Sequence, residues 1–256
     1  MNDKRAQLKA WIEESGNIVF FGGAGVSTES GVPDFRSRDG LYSLNYKYPP
    51  EEIVSHTFFM RQTEEFYRFY RDRMIIRGVQ PNAAHLALAK LEAEGKLKAV
   101  VTQNIDGLHQ AAGSRNVLEL HGATAKNHCM SCNAKYSLDE WIEWPEGTAP
   151  AGDDRGYSVN GVPHCHCGGI IKPDVVLYEE SLDYDVMQAA VDAIAHADML
   201  IIGGTSLVVY PAAGMVDYYR GHKLVVINKS ATPRDSDADL VIAEPIGEVF
   251  AEVCGI

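Results

Sequence analysis

Short apolar runs punctuate the chain: NIVFF (17–21), KAVVT (98–102), VLEL (117–120), MLIIG (199–203), KLVVIN (223–228) and LVIA (240–243). Most are continuous rather than alternating, the pattern of strands buried on both faces of a parallel sheet. Stretches with helical spacing alternate with them at 3–15, 82–95, 185–196 and 246–254. That rhythm predicts an α/β fold, a doubly wound, Rossmann-like parallel sheet with helices on both faces.

Two segments break the rhythm. Residues 40–80 are rich in aromatic and charged side chains, including EEFYRFYRDRM (64–74) at helical spacing, and are expected to form a helical insertion with an aromatic packing face. Residues 125–173 hold four of the five cysteines around a Gly/Pro/Asp-rich loop, PEGTAPAGDDRGYSVNGVP. Neither reads as a separate domain. The expectation is one domain over 1–256, with a large lobe at approximately 1–37, 81–124 and 174–256 and a small lobe at 38–80 and 125–173.

A chain of 256 residues, 46% apolar and 23% charged, suffices for one sizeable core and a smaller appended module. Its 35 acidic against 23 basic residues leave a net charge of −12, which speaks against gripping a nucleic-acid backbone. The acidity suits a basic partner drawn in by long-range attraction, or simply a solvated surface. The first residues, MNDKRAQLKAW, are charged without an apolar stretch, and no run approaches bilayer-spanning length. A cytoplasmic protein without membrane association is expected.

In such a setting a cysteine cluster favours metal over disulfides. Cys129-x-x-Cys132 and Cys165-x-Cys167 can give four thiolates to one tetrahedral ion, for which zinc is the natural choice. A complete set of four thiolates leaves no open position for water, so the zinc would be structural, stapling the ends of a core-poor loop. The second pair is closer than the usual C-x-x-C. Either Cys165 ligates through a tight knuckle, the reading adopted, or His164 takes its place. His128 and His166 are read as bystanders and Cys254 as a packing residue. Between Cys129 and Cys167, Lys135 and Arg155 stand against six acids, so the module is not expected to contact phosphates.

The run GGAGVSTESGVPDFR (22–36) sits directly behind NIVFF. Gly23-Ala24-Gly25 lets the backbone turn sharply and approach a ligand, and a helix starting near Ser27 would aim its N–H groups at a pyrophosphate. A tight strand–helix turn accounts for a bare G-x-G equally well. The hydride-transfer fingerprint needs glycine where Thr28 stands, and no acid-terminated strand follows about twenty residues on. A nicotinamide dehydrogenase is disfavoured.

Together with TQNIDGLH (102–109), LHG (120–122), CGGIIKPDVV (167–176), GTSLVVYPAA (204–213) and VVIN (225–228), this loop resembles the signature of the sirtuin family, the NAD-consuming protein-lysine deacylases. The match runs in family order over almost the whole chain. The resemblance implies a single catalytic domain that uses NAD as a consumed co-substrate. It assigns Ala24 and Thr28 to the pyrophosphate, and Phe35 and Arg36 to the nicotinamide-ribose end. Gln103, Asn104, Ile105 and Asp106 would surround nicotinamide and its ribose. Thr205 and Ser206 would contact phosphate and ribose, and Asn228 the adenosine ribose. His121, a lone histidine that by itself reads as structural, becomes the general base.

The implied reaction begins with attack of the acyl-lysine carbonyl oxygen on C1′ of the nicotinamide ribose. Nicotinamide leaves, His121 helps deprotonate a ribose hydroxyl that attacks the amidate, and water releases lysine and O-acyl-ADP-ribose. The acetylated protein or peptide would add as a strand beside Val175–Glu180, with Val176 and Tyr178 flanking the lysine. Family members end that segment in F-G-E. Here Glu179 replaces the glycine, which leaves pairing beyond Tyr178 open. Tyr70-Arg71-Asp72-Arg73 fits the Tyr-x-x-Arg of relatives that take acidic acyl groups. Ungapped counting from Gln80 puts Tyr67 and Tyr70 at those places instead. Deacetylation is therefore expected, with an acidic or longer deacylase, or a protein ADP-ribosyltransferase, as the alternatives. A monomer is expected.

Overall fold

The structure is a computed structural model that describes residues 3–34, 40, 46–144, 147 and 156–256. Helix α1 (Asp3–Glu14) buries Leu8 and Ile12 and leads into β1 (Ile18–Gly22), buried on both faces. Helices α2 (Pro50–Ile53), α3 (His56–Arg61) and α4 (Thr63–Phe69) build the insertion, with a π turn at Tyr70–Met74. Then α5 (Ala83–Ala93), β2 (Leu97–Thr102), α6 (Leu108–Ala111) and β3 (Val117–Glu119) return to the first sheet. The cysteine module comprises β4 (Gly122–Cys129), β5 (Lys135–Ser137), α7 (Leu138–Trp141), β6 (Gly156–Val159), β7 (Val162–Cys165) and β8 (Ile171–Val175). Helix α8 (Tyr184–His196), β9 (Met199–Gly203), a 3-10 stretch (Ala212–Tyr218), β10 (Leu224–Ile227), β11 (Leu240–Ile242) and α9 (Ile246–Cys254) follow.

The large sheet is parallel in the order β11-β10-β9-β1-β2-β3. The chain winds outward from β1 on one side, then crosses over to start again at β9. This is the doubly wound order, with its switch point between β1 and β9. Period-two alternation divides β1 between two cores. Ile18 and Phe20 pack with the faces of α1, α5 and α9, while Val19 and Phe21 pack on the side of α8 and the 3-10 stretch. That double burial is why the sequence run is continuous.

A second core joins the helical insertion to the cysteine module. Phe66, Tyr67, Phe69, Tyr70 and Met74 recur at helical spacing and pack with Trp141, Cys165 and Ile171. Tyr67 meets Trp141 edge-on at 5.8 Å and donates its hydroxyl to the Ile171 carbonyl. The Arg71 guanidinium lies 5.0 Å from the Trp141 ring and donates to the Ile142 and Gly161 carbonyls.

Two local expectations are corrected. The glycine loop opens no helix: it makes 3-10 turns at Ala24–Val26 and Thr28–Ser30, stopped by Gly31 at φ +86. Pro33 two residues later prevents continuation. Part of the supposed loop at 145–163 is a hairpin, β6–β7, turning through Asn160 and Gly161 at φ +51 and +78. Asn-Gly between short apolar runs is a hairpin signal that the surrounding turn residues obscured.

Asn82 caps α5, its Oδ1 accepting from the Ala84 amide at 2.9 Å, while the Asn82 amide donates to His85 Nδ1 at 3.3 Å. Its Nδ2 also donates to the Val26 carbonyl (2.8 Å) and to Ser30 Oγ (3.0 Å), fastening the helix to the glycine loop. Burial lowers His85 to about 4, and His109, whose ring centroid is 4.8 Å away, to about 3. Both are neutral in the fold and take protons on unfolding. Their contribution is full above the unfolded value of about 6.5 and is lost as pH falls below it, by up to about 1.4 kcal/mol per pH unit for each histidine. In urea titrations between pH 7 and 4.5, His109→Phe should flatten the decline in stability by about one proton's worth of slope. An unchanged slope would show that this imidazole is not buried neutral.

Candidate active site

Where β1 and β9 end, at the paired Gly22 and Gly203, their chains part and open a cleft of about 700 Å³. Its base is a contact between two backbones. The Gly25 amide donates to the Gly204 carbonyl at 2.8 Å. A Cβ on Gly25 would stand 2.8 Å from that oxygen, and one on Gly204, at φ +57, would stand 2.3 Å from the Val26 nitrogen. Only glycine permits this approach.

Ala24, Thr28, Gln103, Asn104, Ile105, His121, Thr205, Ser206 and Asn228 all line the cleft, as do Val176 and Tyr178. Phe35 and Arg36 lie outside the described residues. Several polar side chains brace the walls. Thr28 Oγ1 donates to the Gly25 carbonyl (3.0 Å), Gln103 Nε2 donates to Thr205 Oγ1 (3.0 Å), and Asn228 Nδ2 to the Ser230 carbonyl (2.7 Å).

Asp106 stands behind this lining. Its Oδ1 accepts from the Leu108 amide at 2.9 Å and its Oδ2 from Ser27 Oγ at 2.7 Å. Ser27 is fully buried and also takes a bond from Asn104 Nδ2 at 3.1 Å. His85 Nδ1 already accepts from Asn82, so the neutral ring carries its proton on Nε2, 3.5 Å from Ser27 Oγ. Sequence reasoning missed Ser27 and His85. The available signals were a second hydroxyl beside Thr28 and the cap-like Asn82-x-x-His85.

His121 stands between β3 and β4. The next residue, Gly122, is left-handed at φ +71, and a Cβ there would lie 1.7 Å from the Asp174 carbonyl of β8. The His121 carbonyl accepts from the Val176 amide at 3.0 Å. Its Nδ1 is 3.0 Å from the Gln103 carbonyl, which can only accept, so Nδ1 carries the hydrogen and the Nε2 lone pair stays available. Burial lowers the proton affinity of the ring, opposed by the Gln103 carbonyl.

Strand β4 runs from Gly122 to the cysteine cluster. The sulfurs of Cys129, Cys132, Cys165 and Cys167 all lie within 4.8 Å of one another. Cys129–Cys167 and Cys132–Cys165 are each 3.5 Å apart, close to the edge of about 3.8 Å for a tetrahedron with zinc–sulfur bonds of about 2.3 Å. Burial raises the Cys129 thiol, but the amides of Cys132 and Ser131 favour its thiolate and bring it to about 7. The donor set fits zinc and leaves it no open position. His164 is turned aside, its Nδ1 2.9 Å from the Val162 carbonyl and its ring stacked on Tyr157.

Beyond β8, Tyr178 pairs with the helical insertion: its amide donates to the Val54 carbonyl (3.0 Å) and its carbonyl accepts from the His56 amide (2.9 Å). Glu179 has φ +76, the conformation a glycine would take. That costs about 1–2 kcal/mol for a residue with a Cβ, so the backbone course survives the replacement under strain. Tyr67 and Tyr70 are core residues with no exposed surface, and Arg71 is committed to the cysteine module.

A crevice at the switch point of a parallel doubly wound sheet, floored by glycine backbone, is the layout of a dinucleotide-binding α/β protein. Comparison with known proteins narrows the class. Residues 23–211 match the Sir2 family, and the chain belongs to that family. It is 56% identical over 253 residues to an NAD-dependent protein deacetylase of Clostridium acetobutylicum, covering 98% of both chains. It is 57% identical to one of Clostridium perfringens, covering 99% of both. A solved Sir2 enzyme superposes with a TM-score of 0.85 at 37% identity, covering 100% of this chain and 98% of the other. A Sir2 protein holding a deacetylated p53 peptide and 3′-O-acetyl ADP-ribose superposes at 0.84 with 36% identity, covering 98% of each chain.

Purified protein should contain about one zinc per chain, as four thiolates around one ion require. Cys132→Ala should lose that zinc and melt roughly 10 °C lower, the shift for about 3–5 kcal/mol in a chain of this size. A zinc-free variant with unchanged melting would contradict the structural role.

Proposed function

We propose that this chain is an NAD-dependent protein-lysine deacetylase, which converts NAD, an acetylated lysine and water to nicotinamide, O-acetyl-ADP-ribose and free lysine. The observation that carries the reading is His121: an imidazole with its tautomer held by the Gln103 carbonyl, lining a cleft at the switch point. The family relatives support the same reading.

In this mechanism NAD lies across the two glycine loops. Ala24, Thr28, Thr205 and Ser206 bind its phosphates and adjoining ribose, and Asn228 binds the adenosine ribose. Gln103, Asn104 and Asp106 hold the nicotinamide ribose and amide. Phe35 and Arg36 are assigned to the nicotinamide-ribose end, where the apolar Phe35 and Ile105 would exclude water so that the peptide carbonyl rather than water attacks C1′. His121 Nε2 then takes the proton of a ribose hydroxyl as that oxygen attacks the amidate carbon. The resulting imidazolium keeps its Nδ1–H bond to Gln103 and returns the proton to the departing lysine amine, and water then adds to the acyl carbon bridging the two ribose oxygens to give O-acetyl-ADP-ribose. Zinc, when bound by the four cysteines, supplies folding rigidity and no chemistry.

The peptide lies against the strand carrying Val176 and Tyr178. Among the described residues, Arg71 points its donors at the carbonyls of the cysteine module, which favours a neutral acetyl group over an acidic one. We divide the single catalytic domain into a large lobe at approximately 1–37, 81–124 and 174–256 and a small lobe at 38–80 and 125–173. None of the described helices is long and apolar enough to cross a membrane. A cytoplasmic monomer acting on acetylated protein, with no nucleic acid, completes the proposal.

Mixing the protein with NAD and an acetyl-lysine peptide should release nicotinamide and acetyl-ADP-ribose in equal amounts. Deacetylation without NAD would refute the assignment, and faster turnover of succinyl-lysine would refute the acyl preference. His121→Ala should keep NAD binding while kcat falls roughly 100-fold or more. Because burial lowers its pKa, the acid limb of kcat/KM should lie below about 6.5, with activity lost as pH falls and the base becomes protonated. An acid limb unmoved by an otherwise active His121 substitution would assign the base elsewhere.

A further inference from the structure

The segment that returns from β8 to α8 crosses from the small core to the large one, and residues 177–180 are stitched to the start of α3. Besides the two backbone bonds of Tyr178, the side chains of Glu179 and Glu180 both reach across. Glu179 Oε2 accepts from the Thr57 amide at 2.9 Å. Glu180 Oε1 lies 2.9 Å from His56 Nδ1, and its Oε2 accepts from the Leu177 amide (2.9 Å) and from buried Lys172 Nζ (3.1 Å). Ser55 caps the same helix by accepting from the Phe58 amide at 3.2 Å. The unpaired amides of the first turn are thus shared between a cap on their own strand of chain and a carboxylate from the crossing segment.

The Glu179 conformation gives this bond its meaning. A residue with a Cβ resists φ +76, and the exposed side chain could take a relaxed conformation elsewhere. The turn closed by the Glu180 amide on the Leu177 carbonyl sets this conformation, and it aims the Glu179 carboxylate at the Thr57 amide in the first turn of α3. The Thr57 hydroxyl and amide hold Glu179 below the usual carboxylate range, the direction expected of an acceptor whose anionic form is bound.

We propose that Glu179 is a positioning residue for the peptide: its bond to Thr57 latches the crossing segment to the helical insertion and presets the edge carrying Val176 and Tyr178 before substrate arrives. This rests on the reading of that edge as the peptide strand. Glycine at 179 would keep the backbone course without strain but remove one tie to α3, leaving the Tyr178 backbone bonds and the Glu180–His56 contact to hold the segment more loosely. Part of the binding energy would then go into ordering it. The latch acts on peptide affinity, since the Glu179 bond runs to α3 and not to the glycine loops.

The test compares wild type with Glu179→Gly, Glu179→Ala and Glu179→Gln, using a labelled acetyl-lysine peptide for affinity, NAD titration as control, and amide hydrogen exchange at Thr57. Gly and Ala should weaken peptide binding roughly three- to tenfold, the worth of one net hydrogen bond, and speed Thr57 exchange by a similar factor. NAD affinity should stay within about twofold, and Gln, which keeps an acceptor oxygen, should restore most of the peptide affinity. If Glu179→Gly binds peptide as wild type does, or Thr57 exchange is unchanged, the latch is overturned. If wild type itself fails to bind the peptide, the reading of the strand fails, and the exchange rates still report whether Glu179 holds Thr57.

Discussion

Two backbones must meet at the switch point with no side chain between them, and the rest of the site follows from that contact. Strands β1 and β9 run in register from Ile18 beside Met199 to Gly22 beside Gly203, both buried on each face. Their ends cannot move apart without opening two cores at once. The loops leaving them therefore touch where they emerge, and Gly25 and Gly204 are the residues that can close to hydrogen-bond distance there. The cleft is the space left as the loops diverge. Its polar lining comes from residues that brace the same loops, so the groups facing the cleft are also structural ones.

The second core bears on His121 chiefly through strand β4 and its partner β8. β4 has Gly122 at one end, directly after His121, and Cys129 at the other. Its partner β8 passes so close to Gly122 that no Cβ fits, and its continuation at Val176 donates to the His121 carbonyl. The cysteine module and the aromatic core thus set the strand on which the imidazole is mounted. A metal that does no chemistry still matters here, because loosening one end of β4 loosens the support of His121 at the other.

Much of the six-stranded sheet was legible in the residues. Continuous apolar runs mark doubly covered strands because burial on both faces removes alternation, and helix α9 occupies the span its pattern predicted. The cysteines could be grouped because a tetrahedral ion imposes a short ligand spacing. The hairpin at Asn160–Gly161 was missed amid residues that equally suit an irregular loop. The pairing of β4 with β8 was also invisible, since antiparallel partners separated by dozens of residues leave no local periodicity. The helix expected after the glycine loop failed on local grounds, at Gly31 and Pro33.

By itself the sequence determined the α/β class, the glycine positions, the thiol set and the chemistry on offer, since each depends on a residue's own volume, φ preference or donor atoms. Tertiary structure decided which nitrogen of His121 keeps its proton, that Ser27 joins Asp106 to His85, and that Glu179 bends to meet Thr57. Those outcomes depend on groups 18 to 122 residues apart brought within 3.5 Å, where hydrogen bonding falls off too steeply with distance to be read from spacing along a chain.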